Sequence, residues 1–243
     1  MLPIMDVSTD NLRDVLARLA IDGAPSRPVV AAVAAVTVAA CAWRPTWHLL
    51  RHAVTVIHEM GHVVAAWLFG RRISGIKVHS DTSGLTITAG KPRGLGVLVT
   101  YMAGYPAPTL LGWGLVWAVL HGHAGAALGA LTATLALALL LSRNIYGLLV
   151  TAIAAAGSAW AFLAAPADTV ATVTVAIALV MLLGAFRSTG DLWRGLSRGH
   201  GDGSDAAMAA AHSILPGRVW AALFAAVTGL GLVHTAATLW LGS

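Results

Sequence analysis

Glutamate is almost missing from this chain. Among 243 residues only Glu59 is a glutamate. That excludes paired-glutamate chemistry and any metal site needing a glutamate ligand besides Glu59. Charge is scarce as well. Asp, Glu, Lys and Arg make up 10% of the residues, against about 25% in a typical soluble domain. A water-soluble globule is excluded on that ground. Cysteine occurs once, as Cys41 in an apolar stretch, so no intrachain disulfide can form. A net charge of +5 in so apolar a chain bears on membrane topology, not on nucleic-acid binding. A signal peptide is not expected, because Asp6, Asp10, Asp14 and Asp22 interrupt the basic start such a leader needs.

Apolar sequence fills the space that charge leaves. Hydrophobic residues reach 58% and the mean hydropathy is +0.78. Seven apolar runs stand out, roughly 28–43, 46–69, 96–120, 123–141, 145–165, 168–186 and 217–241. Most approach the ~20 residues that cross a bilayer. The expectation is an all-α integral membrane protein, a polytopic bundle of about seven transmembrane helices in a lipid bilayer. Residues 1–27 are predicted as an N-terminal cytosolic segment, with Leu12, Val15, Leu16 and Leu19 at helical spacing. Residues 28–243 form the membrane domain.

Two polar stretches interrupt that domain. In residues 73–90, Ile76 and Val78, then Leu85 and Ile87, alternate with polar neighbours around the turn-forming Asp81–Gly84. That predicts a small β-hairpin. Residues 187–216 are Gly- and Ser-rich and predict a cytoplasmic loop, helical from about Asp205 with Ser204 or Asp205 as N-cap. With seven crossings, only Arg44 and Arg51 fall on the side away from the N-terminus. The positive-inside rule then puts the N-terminus in the cytoplasm and the C-terminus outside.

The lone glutamate lies in His58-Glu59-Met60-Gly61-His62, the H-E-x-x-H pattern of zinc metallopeptidases. At ~100° per residue, His48, Arg51, His52, Thr55, His58, Glu59 and His62 share one stripe of the second apolar run. A membrane helix with one polar stripe turns it toward protein or water. His58 and His62, at i and i+4, can reach one Zn²⁺ at ~2.0–2.1 Å. Glu59 stands beside the metal as a base for its water. Two packed histidines are the plain alternative, but an ionisable residue in a span is costly unless it functions.

The third ligand must be sought among the aspartates. Asp81 is a turn residue, Asp168 falls on the opposite side, and Asp202 in His-Gly-Asp-Gly suits a solvated turn. Asp205 opens an apolar short helix, as ligand or as cap. Asp191 is the alternative, unless it pairs with Arg187 or Arg194. His121, His123, His200, His212 and His234 are weaker candidates. Some 9–13 residues separate the motif from Arg71, or roughly 13–20 Å at 1.5 Å per residue. A cytoplasmic segment can reach that depth.

With these residues in place, the chain resembles the site-2 protease family of intramembrane zinc metallopeptidases, most closely its small bacterial branch. The resemblance rests on the H-E-x-x-H helix and the Gly-rich hairpin that follows it. It also rests on Ala103-Gly104-Tyr105-Pro106-Ala107-Pro108, on Ser204-Asp205-Ala206, and on Leu215-Pro216. It covers about residues 50–220. The resemblance implies that His58 and His62 are metal ligands and Glu59 the catalytic base. It further implies cleavage of membrane-embedded or membrane-proximal protein segments, often in regulated proteolysis, with the hairpin edge offered to an unwound substrate. Typical members take the third ligand from Leu-Asp-Gly after an Asn and a Pro. This chain has no Leu-Asp-Gly, and Arg143-Asn144-Ile145-Tyr146-Gly147 matches only the Asn half.

Two other functions compete with an intramembrane zinc endopeptidase. A membrane metal transporter or sensor would use the ten histidines, though no inverted repeat is evident. A protease-like scaffold without turnover would bind zinc alone. The sequence names no substrate-binding residue, no particular substrate and no oligomeric state.

Overall fold

A computed structural model describes residues 9–201 and 203–241. Asp6 and Asp202 fall outside them. The elements in chain order are α1 (Thr9–Leu19), α2 (Arg27–Ala42), α3 (Arg44–Leu68), β1 (Arg72–Val78), β2 (Gly84–Ala89), α4 (Leu95–Ala103) and α5 (Pro106–Leu120). There follow α6 (Ala124–Leu141), α7 (Ile145–Ala164), α8 (Ala167–Ser197), α9 (Asp205–Ala211) and α10 (Gly217–Leu241). Prolines mark many of the starts. Those in the first turn of α2, α3 and α5 occupy positions whose N–H has no helical partner anyway.

The chain is mostly helical with a small hairpin, as its sequence predicts, but the spans differ from expectation. Helices α6, α7, α8 and α10 are long and apolar enough to cross a membrane. Helices α2 and α3 pass that test only as a pair, bent by 102° at their junction. The described residues thus give four candidate spans, or five with the bent pair, and not seven. The run over 96–120 breaks at Gly104-Tyr105, which leaves α5 with 15 residues. Across the bundle the helices meet through small residues and hydroxyl pairs. Thr132 and Ser158 are 2.7 Å apart, and Thr189 and Thr228 are 3.2 Å apart.

The bend reorders the ends of the molecule. Helix α3 turns away from α2 and packs against α4, α5, α7, α8 and both strands. At one end of α6 and α7, the hairpin is held by Arg143 N donating to Ile76 O at 2.8 Å and by Asn144. At their other end, Arg18 Nη1 donates to Ala165 O at 2.6 Å and Gly125 N donates to Ile21 O at 3.0 Å. The 18 residues of α6 put about 27 Å between those ends. Helix α1 therefore forms where the leucine spacing predicts a helix, but on the far side of the bundle from the hairpin. The expectation that the N-terminal segment shares the hairpin's side is corrected. Its source is the count of α3 as a full crossing. Helix α10 runs parallel to α5, with Gly231 against Thr109 and His234 beside Trp113, so its C-terminal end also points toward the α1 side.

The hairpin pairs Arg72↔Ala89 through Val78↔Gly84, with a register shift between Ile73 and Gly75. Ile76 and Val78 are fully buried and fasten it to the bundle. Residues 187–197, expected as loop, instead continue α8. The tail is held by the Thr189–Thr228 pair and by Leu192, which is buried with Ala206 and Trp220. Tertiary packing there outweighs the helix-weakening Gly190 and Gly195.

Candidate metal centre

Helix α3 presents the H-E-x-x-H residues to the interior. Glu59 and His62 are buried and His58 is partly so. His62 Nδ1 lies 2.6 Å from Thr100 O on α4. A carbonyl can only accept, so Nδ1 carries the proton and Nε2 of a neutral ring presents its lone pair. The Nε2 atoms of His58 and His62 are 3.1 Å apart.

Asp205 arrives from the other end of the sequence. It is the first residue of α9, and Ser204 caps that helix by accepting from Ala207 N at 3.3 Å. Its Oδ2 lies 3.0 Å from His58 Nε2 and 3.2 Å from His62 Nε2. That oxygen is buried and accepts no hydrogen bond of good geometry. Two imidazole nitrogens and a carboxylate oxygen thus converge on one point. Ligands held ~2.0–2.1 Å from a single tetrahedral ion stand roughly 3.3 Å apart, close to the three separations seen. Lone pairs so crowded are unfavourable without a cation, and a nitrogen–nitrogen–oxygen set suits zinc. The residues present fit such an ion.

Glu59 stands beside this triangle. Its carboxylate and the two imidazoles offer ligand atoms within 4.8 Å of one another. The Thr86 hydroxyl on β2 donates to Glu59 Oε2 at 2.5 Å, and the Thr55 hydroxyl donates to Thr82 O at 2.9 Å. The hairpin is thereby docked on α3 directly over Glu59. Two glycines make the approach possible. A Cβ at Gly104 would stand 2.5 Å from both Nε2 atoms, and one at Gly84 would overlap the Glu59 carboxylate. A cavity of about 340 Å³ opens beside the triangle, lined by Glu59, Asp205, Arg51, Tyr105 and the β2 residues Gly84, Leu85, Thr86 and Thr88.

Asp191, the alternative third ligand in the sequence, is not brought to the triangle. It pairs with Arg51 at 3.2 Å and with Arg194, and so ties α8 to α3. Asp81 is bonded to Ser83 in the hairpin turn. His212 stacks on Tyr101, His121 on Trp117, and His234 lies by Trp113. Sequence reasoning does not find Thr86 or the Thr100 carbonyl as neighbours of the triangle, and it names Tyr105 only within the Ala103–Pro108 motif of the resemblance. A threonine in an alternating hairpin and a backbone carbonyl carry no signal of their own. Asn144 was noticed only through the resemblance. Here its side chain accepts from Val78 N at 3.2 Å and donates to Val78 O at 2.7 Å, as a further strand would.

No curated protein and no solved structure matches the chain. The family model described as Peptidase M50B-like matches residues 30–235, which takes in α3, the hairpin, the α4–α5 junction, α9 and most of α10. With most of the chain inside that match, the protein belongs to the Peptidase M50B-like family, the site-2 protease family.

Proposed function

We propose that the chain is an intramembrane zinc endopeptidase that hydrolyses peptide bonds in membrane-embedded or membrane-proximal segments of other membrane proteins. Family membership supports a membrane-bound peptidase. The observation that carries the finer reading is the approach of the buried Asp205 Oδ2, which accepts no hydrogen bond of good geometry, to the two histidine nitrogens.

In this reading His58, His62 and Asp205 hold the ion. Zinc supplies Lewis acidity toward a peptide carbonyl and an attacking water. Glu59 takes the proton of that water and returns it to the leaving amine. Thr86 fixes Oε2 of Glu59, so the other oxygen stays free for the proton. A peptide must be extended to be cut, because a helix shields its own backbone. The outer edge of β1 is occupied by the α6–α7 turn, with a bridge from Ile76 to Ser142. The edge of β2 borders the cavity and offers pairing to an unwound substrate. The hairpin end carries Arg51, Arg71, Arg72, Lys77, Lys91, Arg93, Arg143, Arg187, Arg194, Arg198 and Arg218, against Arg13, Arg18 and Arg27 near α1. By the positive-inside rule the hairpin end, and the cavity with it, faces the cytoplasm.

The test is Glu59→Gln with metal analysis. The variant is expected to keep about one zinc per chain, the fourth position and the three ligands being intact. Cleavage of a transmembrane test substrate should fall by about 10²–10⁴. Wild-type protein without zinc, or a Gln variant as fast as wild type, would refute the proposal. Zinc with no turnover in wild type would leave a binding scaffold instead.

A further inference from the structure

Several hydroxyls around the cavity are committed, while those of Tyr105, Tyr101, Thr82 and Ser188 make no hydrogen bond among the described residues; of these four residues only Tyr105 packs its ring on His58. Thr55 donates to Thr82 O, Thr86 to Glu59 and Thr100 to Gly96 O. Tyr105 makes ring contacts and no hydrogen bond among the described residues. Nor is its oxygen among the buried atoms that lack a partner, and the residue lines the cavity. The ring itself is fixed. It stacks on Phe224 of α10 at 5.2 Å and 15°, and meets the His58 ring edge-on at 4.8 Å and 86°. Tyr105 sits in the α4–α5 junction, next to Gly104, which touches both imidazoles, and before Pro106.

A fixed hydrogen-bond donor facing the reacting centre is what a developing oxyanion requires. Resting on the peptidase reading, we propose that Tyr105 is a further catalytic residue, its phenol donating a hydrogen bond to the carbonyl oxygen of the bond being cut. As the water oxygen bonds to the carbonyl carbon, the π pair moves onto the carbonyl oxygen and Glu59 takes the water proton. The phenol bond strengthens with that charge. The C–N bond then breaks with its pair on nitrogen, and Glu59 delivers the proton there. Tyr105 gives up no proton at any stage.

Tyr105→Phe keeps the ring and removes the donor. Zinc content and melting temperature should match wild type, while kcat falls about 10²–10³-fold, the usual loss for one oxyanion donor, with KM little changed. A phosphinic peptide that mimics the tetrahedral oxygen should bind the variant more weakly, whereas the amine-side product peptide should bind both alike. An unchanged kcat, equal weakening for both peptides, or loss of zinc or of stability would overturn the assignment. Failure of the peptidase reading itself looks different: wild type then cuts nothing, which overturns both.

Discussion

His58 and His62 were legible because one helical turn sets their spacing. Asp205 was legible only as one of two candidates. Nothing in the spacing of residues 143 positions apart tells which aspartate arrives, and only the folded structure shows Asp191 paired with Arg51 and Arg194 instead. The two variants should separate cleanly. Asp205→Ala removes the proposed third ligand, and zinc retention is expected to fall by at least tenfold in equilibrium dialysis. Asp191→Ala should keep its zinc, since only a partly exposed ion pair is lost. Zinc held equally by both variants would sink the ligand set. The glycines allow a finer test. Gly104→Ala crowds the imidazoles and should cost zinc. Gly84→Ala presses first on the Glu59 carboxylate, so it should keep zinc and lose rate. Identical behaviour of the two, in metal analysis beside a cleavage assay, would contradict the division of roles between them.

At the scale of elements, the sequence showed the hairpin and α9 but not what holds them. The hairpin is seen in alternation, a local signal. Its anchoring by Asn144 joins residues 66 positions apart, and no local pattern records that. Asn144→Ala would strip partners from both polar groups of the buried Val78. An unsatisfied buried group costs about 1–3 kcal/mol, so the melting temperature should drop measurably in detergent. An unshifted melt would mean that water replaces the side chain. Helix α9 depends on its cap. Ser204→Ala should cost about 1 kcal/mol, and because the helix delivers Asp205, zinc affinity should weaken by roughly fivefold. The α8 tail went unseen for a different reason. Glycine and serine weaken a helix, and only burial of Leu192 beside Ala206 and Trp220 restores it.

For the whole molecule, hydropathy gave the membrane class and mistook the path. A sum over apolar residues assigns every long run a crossing, but it holds no information on the angle between successive helices. Helix α3 is apolar on one face and long enough, yet it turns across the bundle. The N-terminal helix and the hairpin consequently occupy opposite ends. A cysteine introduced at Ala24, exposed between α1 and α2 and labelled from outside intact cells, should react, whereas one at Ser80 should not (Cys41 is buried and leaves the background low). Reaction at Ser80 alone would reverse the orientation, and reaction of both would contradict the placement of the two at opposite ends.

The 102° turn between α2 and α3 also bears on how the molecule meets bilayers of different thickness. A spanning helix answers a thicker bilayer by changing its tilt, which carries residues along its length toward or away from water. If α3 lies across the spans, its residues stay at nearly one depth, and tilt in its neighbours slides the triangle of His58, His62 and Asp205 sideways more than down. Cleavage in vesicles of increasing acyl-chain length should vary only about twofold while the spanning helices remain matched. A steep optimum at one thickness would mean that α3 does not lie flat.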